Sequence, residues 1–167
     1  MNQSRYVSNI SWKKTVSGML AVILTVILSA CSGQNGSSAN KNPQISEGGE
    51  LAISVADLTN SASFYPVEVD GTSMEIIAVK ASDGTIRTAF NTCQVCYTSG
   101  RGYYKQSGDK LICQNCGNQF SMDQVEIESG GCNPWPIFDE NKTTTDDTIS
   151  ISYDFLKESK DIFANWK

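Results

Sequence analysis

The chain contains no histidine in 167 residues. That absence removes imidazole as a general base, as a metal ligand and as a group titrating near neutral pH. Positive charge is scarce, with 13 Lys and Arg against 18 Asp and Glu. Phosphate backbones are bound through clusters of Lys and Arg, so a nucleic-acid partner is excluded. Internal repeats and long charge runs are lacking as well. So is an apolar run of the roughly 20 residues that span a bilayer. The longest one, MLAVILTVIL at 19–28, falls well short of that.

What is present begins at the N-terminus. Residues 1–30 carry Arg5, Lys13 and Lys14 and no acidic residue, and small residues follow the apolar run. A basic start, a short apolar run and a small-residue end mark a secretory signal. The competing reading is an uncleaved anchor helix, against which the length of the run argues. The segment Leu28-Ser29-Ala30-Cys31 resembles the lipobox of bacterial lipoproteins. The resemblance implies a signal peptide over 1–30 and a lipidated Cys31. It implies attachment to the extracytoplasmic face of the cell membrane, since two acyl chains anchor stably where one does not. Residues 31–49 are then the lipidated cysteine and a linker rich in Gly, Ser and Asn, too polar to build a core. As a flexible coil its reach is roughly 20–25 Å.

Residues 50–167 make one small domain. Loss of the signal removes three basic residues and no acidic one, leaving 10 against 18 and a net charge of −8. ELAISVADL at 50–58 reads as a strand. Residues 63–81 read as two strands joined at Asp70-Gly71, a hairpin dipeptide. Asp83-Gly84 marks another turn, and GYYKQSGDKLIC a third hairpin turning at Ser107-Gly108-Asp109. QFSMDQVEIES reads as a strand with a bend, and TISISY as the last strand. The tail sets Phe155, Leu156, Ile162, Phe163 and Trp166 on one helical face, with Asp154 as candidate N-cap. The expectation is a mainly β, small antiparallel domain of Rieske-like or ribbon-like type, closed by a C-terminal helix.

The chemistry concentrates in CQVCYTSGRGYYKQSGDKLICQNCG at 93–117. Two Cys-x-x-Cys pairs, Cys93 and Cys96, then Cys113 and Cys116, each follow a strand and enter a tight loop. Their separation fits the general template for four-thiolate metal sites. Four thiolates suit a tetrahedral ion or a small iron–sulfur cluster. Disulfides are the rival reading, because an exported chain meets an oxidising compartment. Redox Cys-x-x-Cys motifs usually sit beside a βαβ unit, and none is seen. Cys132, in GGCNPWPI, is the odd thiol: a cover for the site, a spare metal ligand, a nucleophile toward a partner disulfide, or a small buried residue. Tyr97, Tyr103, Tyr104, Phe120 and Trp135 surround the thiols in sequence, as water-excluding neighbours or ordinary core.

In layout the block resembles a Rieske domain, with CQNCGNQF and GGCNPWP where the second ligand loop and the covering loop would fall. Having no histidine, it departs from that pattern, and a cluster here would be all-thiolate. VKASDGTIRTAFNTCQVC, GYYKQSGDKLICQNCGNQF, GGCNPWPI and ISISYDFL together resemble the membrane iron–sulfur FtrD-like family, over about residues 51–163. That resemblance implies a membrane-associated protein with an iron–sulfur centre, [2Fe–2S] by expectation, at Cys93, Cys96, Cys113 and Cys116, with Cys132 a further matching cysteine. It implies electron transfer linked to iron uptake or a membrane redox chain, with a separate membrane permease or redox protein as partner. The expected role is an electron carrier rather than a stand-alone enzyme. Alternatives are a structural zinc-binding interaction module and a thiol- or copper-handling protein.

Overall fold

The computed structural model describes residues 42–127 and 129–167. Cys31, the expected signal segment and the linker up to residue 41 lie outside the described residues. Packing against the core extends upstream of residue 50. Ile45 donates its N–H to the Glu68 carbonyl at 2.9 Å, and its side chain packs against the core.

Among the described residues, ten strands form three antiparallel sheets. One joins β1 (Glu50–Ser54), β10 (Thr148–Ser152) and β9 (Thr143–Thr144), in that order. The middle sheet runs β2 (Ser63–Val69), β3 (Thr72–Lys80), β4 (Ile86–Cys93) and β8 (Pro134–Pro136). The third is a meander of β5 (Tyr104–Ser107), β6 (Lys110–Cys113) and β7 (Gln119–Ser121). A helix, α1 (Tyr153–Glu158), follows β10. The expected mainly antiparallel β domain with a small C-terminal helix is what forms.

The turns sit where the sequence puts them. Asp70 (φ +48°) and Gly71 (φ +79°) both occupy the left-handed region that a two-residue hairpin between twisted strands requires. The middle sheet is buried on both faces. Met74, Ile76, Ala78 and Phe90 face a core shared with Ile53, Ile149, Ile151 and Leu156. Ile77, Val79 and Ala89 face the other way, onto Tyr104, Leu111 and the cysteines. This explains the unbroken apolar run Ile76-Ile77-Ala78-Val79, where a half-exposed strand would alternate. Burying each of the Ile and Val side chains contributes about 1.5–3 kcal/mol.

Three local expectations are revised. The strand expected over 119–129 stops at Ser121, because Ser121 and Gln124 cap each other reciprocally and wind a single 3-10 turn at Met122–Gln124. The first strand ends at Ser54 and gives way to another such turn at Val55–Asp57. The C-terminal helix is capped by Ser152, whose hydroxyl accepts from the Phe155 N–H at 3.3 Å, rather than by Asp154. It then breaks into a 3-10 turn, Lys160–Phe163, which still delivers Phe163 to Phe90. Among the described residues no helix is long and apolar enough to cross a membrane.

Candidate metal centre

Strand β4 ends on Cys93 and strand β6 on Cys113, so each Cys-x-x-Cys begins at the last rigid position of a strand. The turns beyond are held by backbone bonds. Gly117 N–H donates to the Cys113 carbonyl at 2.9 Å and Cys113 N–H to the Asn118 carbonyl at 3.0 Å, with Gly117 at φ +75° reversing the chain. In the first turn Cys93 N–H donates to the Gly102 carbonyl at 2.6 Å. A Cβ on Gly102 would lie 2.6 Å from the Cys96 carbonyl carbon, so only glycine permits that approach.

These turns aim amides at sulfur. Cys96 N–H points at Cys93 Sγ from 3.4 Å, and Val95 N–H does so too. Asn115 and Cys116 present theirs to Cys113, and Asn118 to Cys116. Amides directed at a sulfur stabilise the thiolate form that binds metals.

Cys132 arrives from a separate segment. Strand β8 pairs with β4, setting Pro134 beside Cys93. Gln94 ties the loop twice: its N–H donates to the Asn133 carbonyl at 3.2 Å, and its Oε1 accepts from Gly130 N–H at 2.7 Å. The Tyr104 hydroxyl donates to the Cys132 carbonyl. The sulfurs of Cys93, Cys96, Cys116 and Cys132 all lie within 4.8 Å of one another. Cys113, within side-chain reach of Cys116, stands outside that tightest group. All five are free thiols. The structure therefore brings every expected cysteine of the domain to one place, with Cys132 rather than Cys113 in the tightest group.

The thiols are unequal. Burial pushes Cys93 up, but the Tyr104 hydroxyl and the Val95 and Cys96 amides outweigh it, and its pKa falls below the ordinary thiol value. Cys116, which is exposed, is also lowered: burial opposes, while the Asn118 amide and the neighbouring thiols favour the anion. Burial dominates at Cys113, pushed up to about 12 despite its two amides. Burial and the neighbouring Cys116, Cys93 and Cys96 push Cys132 up to about 11, and burial raises Cys96 as well. Cys93 and Cys116 are thus the thiols most easily ionised, while burial and neighbouring thiolates resist ionisation of the others, and a cation among them would favour full deprotonation. That donor set fits a thiophilic metal or an iron–sulfur group.

Two polar clusters hold the site. Asn91, fully buried on β4, accepts from Tyr104 N–H at 2.7 Å and donates to the Tyr104 carbonyl at 3.2 Å and to Glu75 at 2.6 Å. Thr88, also buried, is the hub of the other. Its N–H donates to Glu126 Oε2 at 2.6 Å, and Lys142 Nζ reaches Glu126 Oε1 at 2.6 Å, Thr88 Oγ1 at 3.0 Å and the Ile137 carbonyl at 3.2 Å. Glu126 and Ile137 flank the Cys132 segment, so this hub fastens both of its ends to β4. Neither cluster follows a recognisable sequence motif. Their signal was Thr88 and Asn91, polar residues at buried positions of β4. Of the aromatic neighbours, Tyr104 packs edge-on against Phe120 and Tyr97 against Trp135, while Tyr103 faces Lys105 and Lys167.

The family model described as "Membrane iron-sulfur containing protein FtrD-like" matches residues 46–163. Among curated proteins nothing matches the chain. Among solved structures, the chain is similar to a mutant naphthalene 1,2-dioxygenase bound to phenanthrene, at 15% identity and a TM-score of 0.40. The alignment covers 62% of this chain and 26% of that one, so the chain spans only about a quarter of that protein's length.

Proposed function

The chain belongs to the membrane iron–sulfur FtrD-like family, and on that premise we propose that it is a lipid-anchored, extracytoplasmic electron carrier. Its centre is a [2Fe–2S] cluster on Cys93, Cys96, Cys113 and Cys116, and it serves iron uptake or a membrane redox chain through a separate permease or redox protein. The observation that carries the reading is the convergence of the domain's thiols on one site, with backbone amides aimed at them. When bound, an iron–sulfur group supplies one-electron chemistry at a potential set by charge, hydrogen bonds to sulfur and exposure.

The chain's own residues divide the remaining work. Cys93 and Cys113, at strand ends, fix the inner side of the centre. The amides of Val95, Cys96, Asn115 and Cys116 offset thiolate charge there. The Tyr104 hydroxyl faces Cys93 and excludes water from that side. Cys116 is exposed, so the outer edge is where a partner approaches closely enough for electron exchange.

Anaerobically purified protein is expected to contain iron and sulfide, to absorb visible light and to bleach on reduction. Colourless protein with one zinc per chain, even after iron and sulfide reconstitution, would refute electron transfer. One observation favours that second reading, a structural zinc module. Metal–sulfur bonds of about 2.3 Å in a tetrahedron set the sulfurs roughly 3.8 Å apart. Four sulfurs all within 4.8 Å of one another come near that spacing.

A further inference from the structure

Five thiols meet where a four-thiolate centre, ion or iron–sulfur cluster, takes four. Resting on the metal-centre reading above, we propose that Cys113 and Cys132 compete for one coordination position, with Cys93, Cys96 and Cys116 as constant ligands. Those three belong both to the pair of Cys-x-x-Cys turns and to the tight group of sulfurs. The two sets differ only in their fourth member.

Each rival is built as a ligand. Cys113 ends a strand, is buried, and receives two amides. Cys132 lies in the tight group, and its loop is tied over the site by Gln94 and Tyr104. A thiol present only to fill space needs none of those ties. The loop also has room to adjust. Gly130 and Gly131 precede Cys132 at φ +97° and +61°, with nothing within 4 Å of where either Cβ would stand. A small rotation there withdraws the Cys132 sulfur while the feet at Glu126 and Ile137 stay fixed.

The exchange balances without electrons. A bond from Cys132 sulfur to the metal would form as the bond from Cys113 sulfur broke. Cys132 gives up a proton and Cys113 takes one, so the charge of the site is unchanged. In the Cys113-bound form the Cys132 thiol stands free at the rim. In the other form it closes the site. A centre with two such forms can open to a partner without releasing its metal.

Cadmium(II) tests this on the full chain, because it reads the thiolate set whatever the natural ion is. Iron and sulfide analysis tests the function itself, so the two can fail separately. Metal-free protein is loaded with one equivalent of cadmium and treated with a thiol-alkylating reagent, and Cys132 is followed by peptide mapping. The expected result is that cadmium slows labelling of Cys132 but that labelled protein keeps its cadmium on the Cys113 set. An unchanged labelling rate, or cadmium lost in step with labelling, overturns the proposal. In variants, Cys113→Ser and Cys132→Ser should each weaken cadmium binding by less than about tenfold. The double variant should weaken it more than about 100-fold, beyond the 10–100-fold cost of losing an outer partner. A single variant as damaging as the double shows a fixed ligand and overturns the exchange. A double variant that binds like the parent does so too.

Discussion

Lys142→Met isolates the hub that fastens the Cys132 segment. The lysine side chain is 2% exposed and that of its partner Glu126 is 11% exposed, so the pair is held away from water. Methionine keeps the length and most of the volume of the stem and removes only the charge and its donors. The Glu126 Oε1 contact at 2.6 Å goes, as do those to Thr88 and the Ile137 carbonyl. Breaking a buried pair by deleting one member costs about 3–5 kcal/mol, because the other charge stays buried and uncompensated. For a domain of this size that is a fall in Tm of roughly 10–20 °C. The loss should also depend on pH. Burial already lifts the Glu126 carboxyl above its ordinary 4.5, against the opposing pull of Lys142 and Thr88. Without Lys142 it rises further. A carboxyl whose folded pKa is raised binds more protons folded than unfolded, so its contribution is lost as pH rises through that pKa. The variant should therefore be closest to the parent near pH 5 and furthest from it near pH 7.5. Thermal melts of both proteins at the two pH values measure this. Glu126→Gln added to Lys142→Met removes the stranded charge and should recover more than half of the lost Tm. A Tm change under about 4 °C, an equal loss at both pH values, or a double variant no better than the single would refute the reasoning.

Gly102→Ala should move the first Cys-x-x-Cys turn, since the new methyl meets the Cys96 carbonyl group. The expected cost is about 1–3 kcal/mol of stability, with weaker cadmium binding in the same titration. Normal stability and normal binding together would show that the turn accommodates the methyl freely. Cys31→Ser should leave protein that is unprocessed or released from the membrane, because the thioether needs that sulfur. Fractionation and the mass of the mature N-terminus check it, and parent-like membrane attachment would rule out lipidation at Cys31.

Much of the scaffold was legible because its determinants are local. Asp70-Gly71 and Asp83-Gly84 specify reversals through the backbone freedom of glycine, and Gly108 does so in the third hairpin. The apolar strands between them have nowhere to go but a core. Both Cys-x-x-Cys pairs announced themselves by spacing, and the structure places each at the end of a strand. The ends of elements were less legible. Ser121 and Ser152 compete with the backbone for hydrogen bonds, and which residue caps a turn depends on local backbone geometry rather than on periodicity.

The sequence alone determined that thiolates, and no imidazole, would form any metal site, and that short antiparallel strands would carry the domain. Those follow from which side chains exist and how their polarity alternates. Only the tertiary structure decided which sulfurs meet. Cys132 reaches the group because β8 pairs with β4, because Gln94 and Tyr104 hold its loop, and because Thr88, Glu126 and Lys142 join both ends of its segment. Those contacts link residues tens of positions apart through buried hydrogen bonds. Such bonds depend on the geometry of packed layers and leave no periodic trace in the chain.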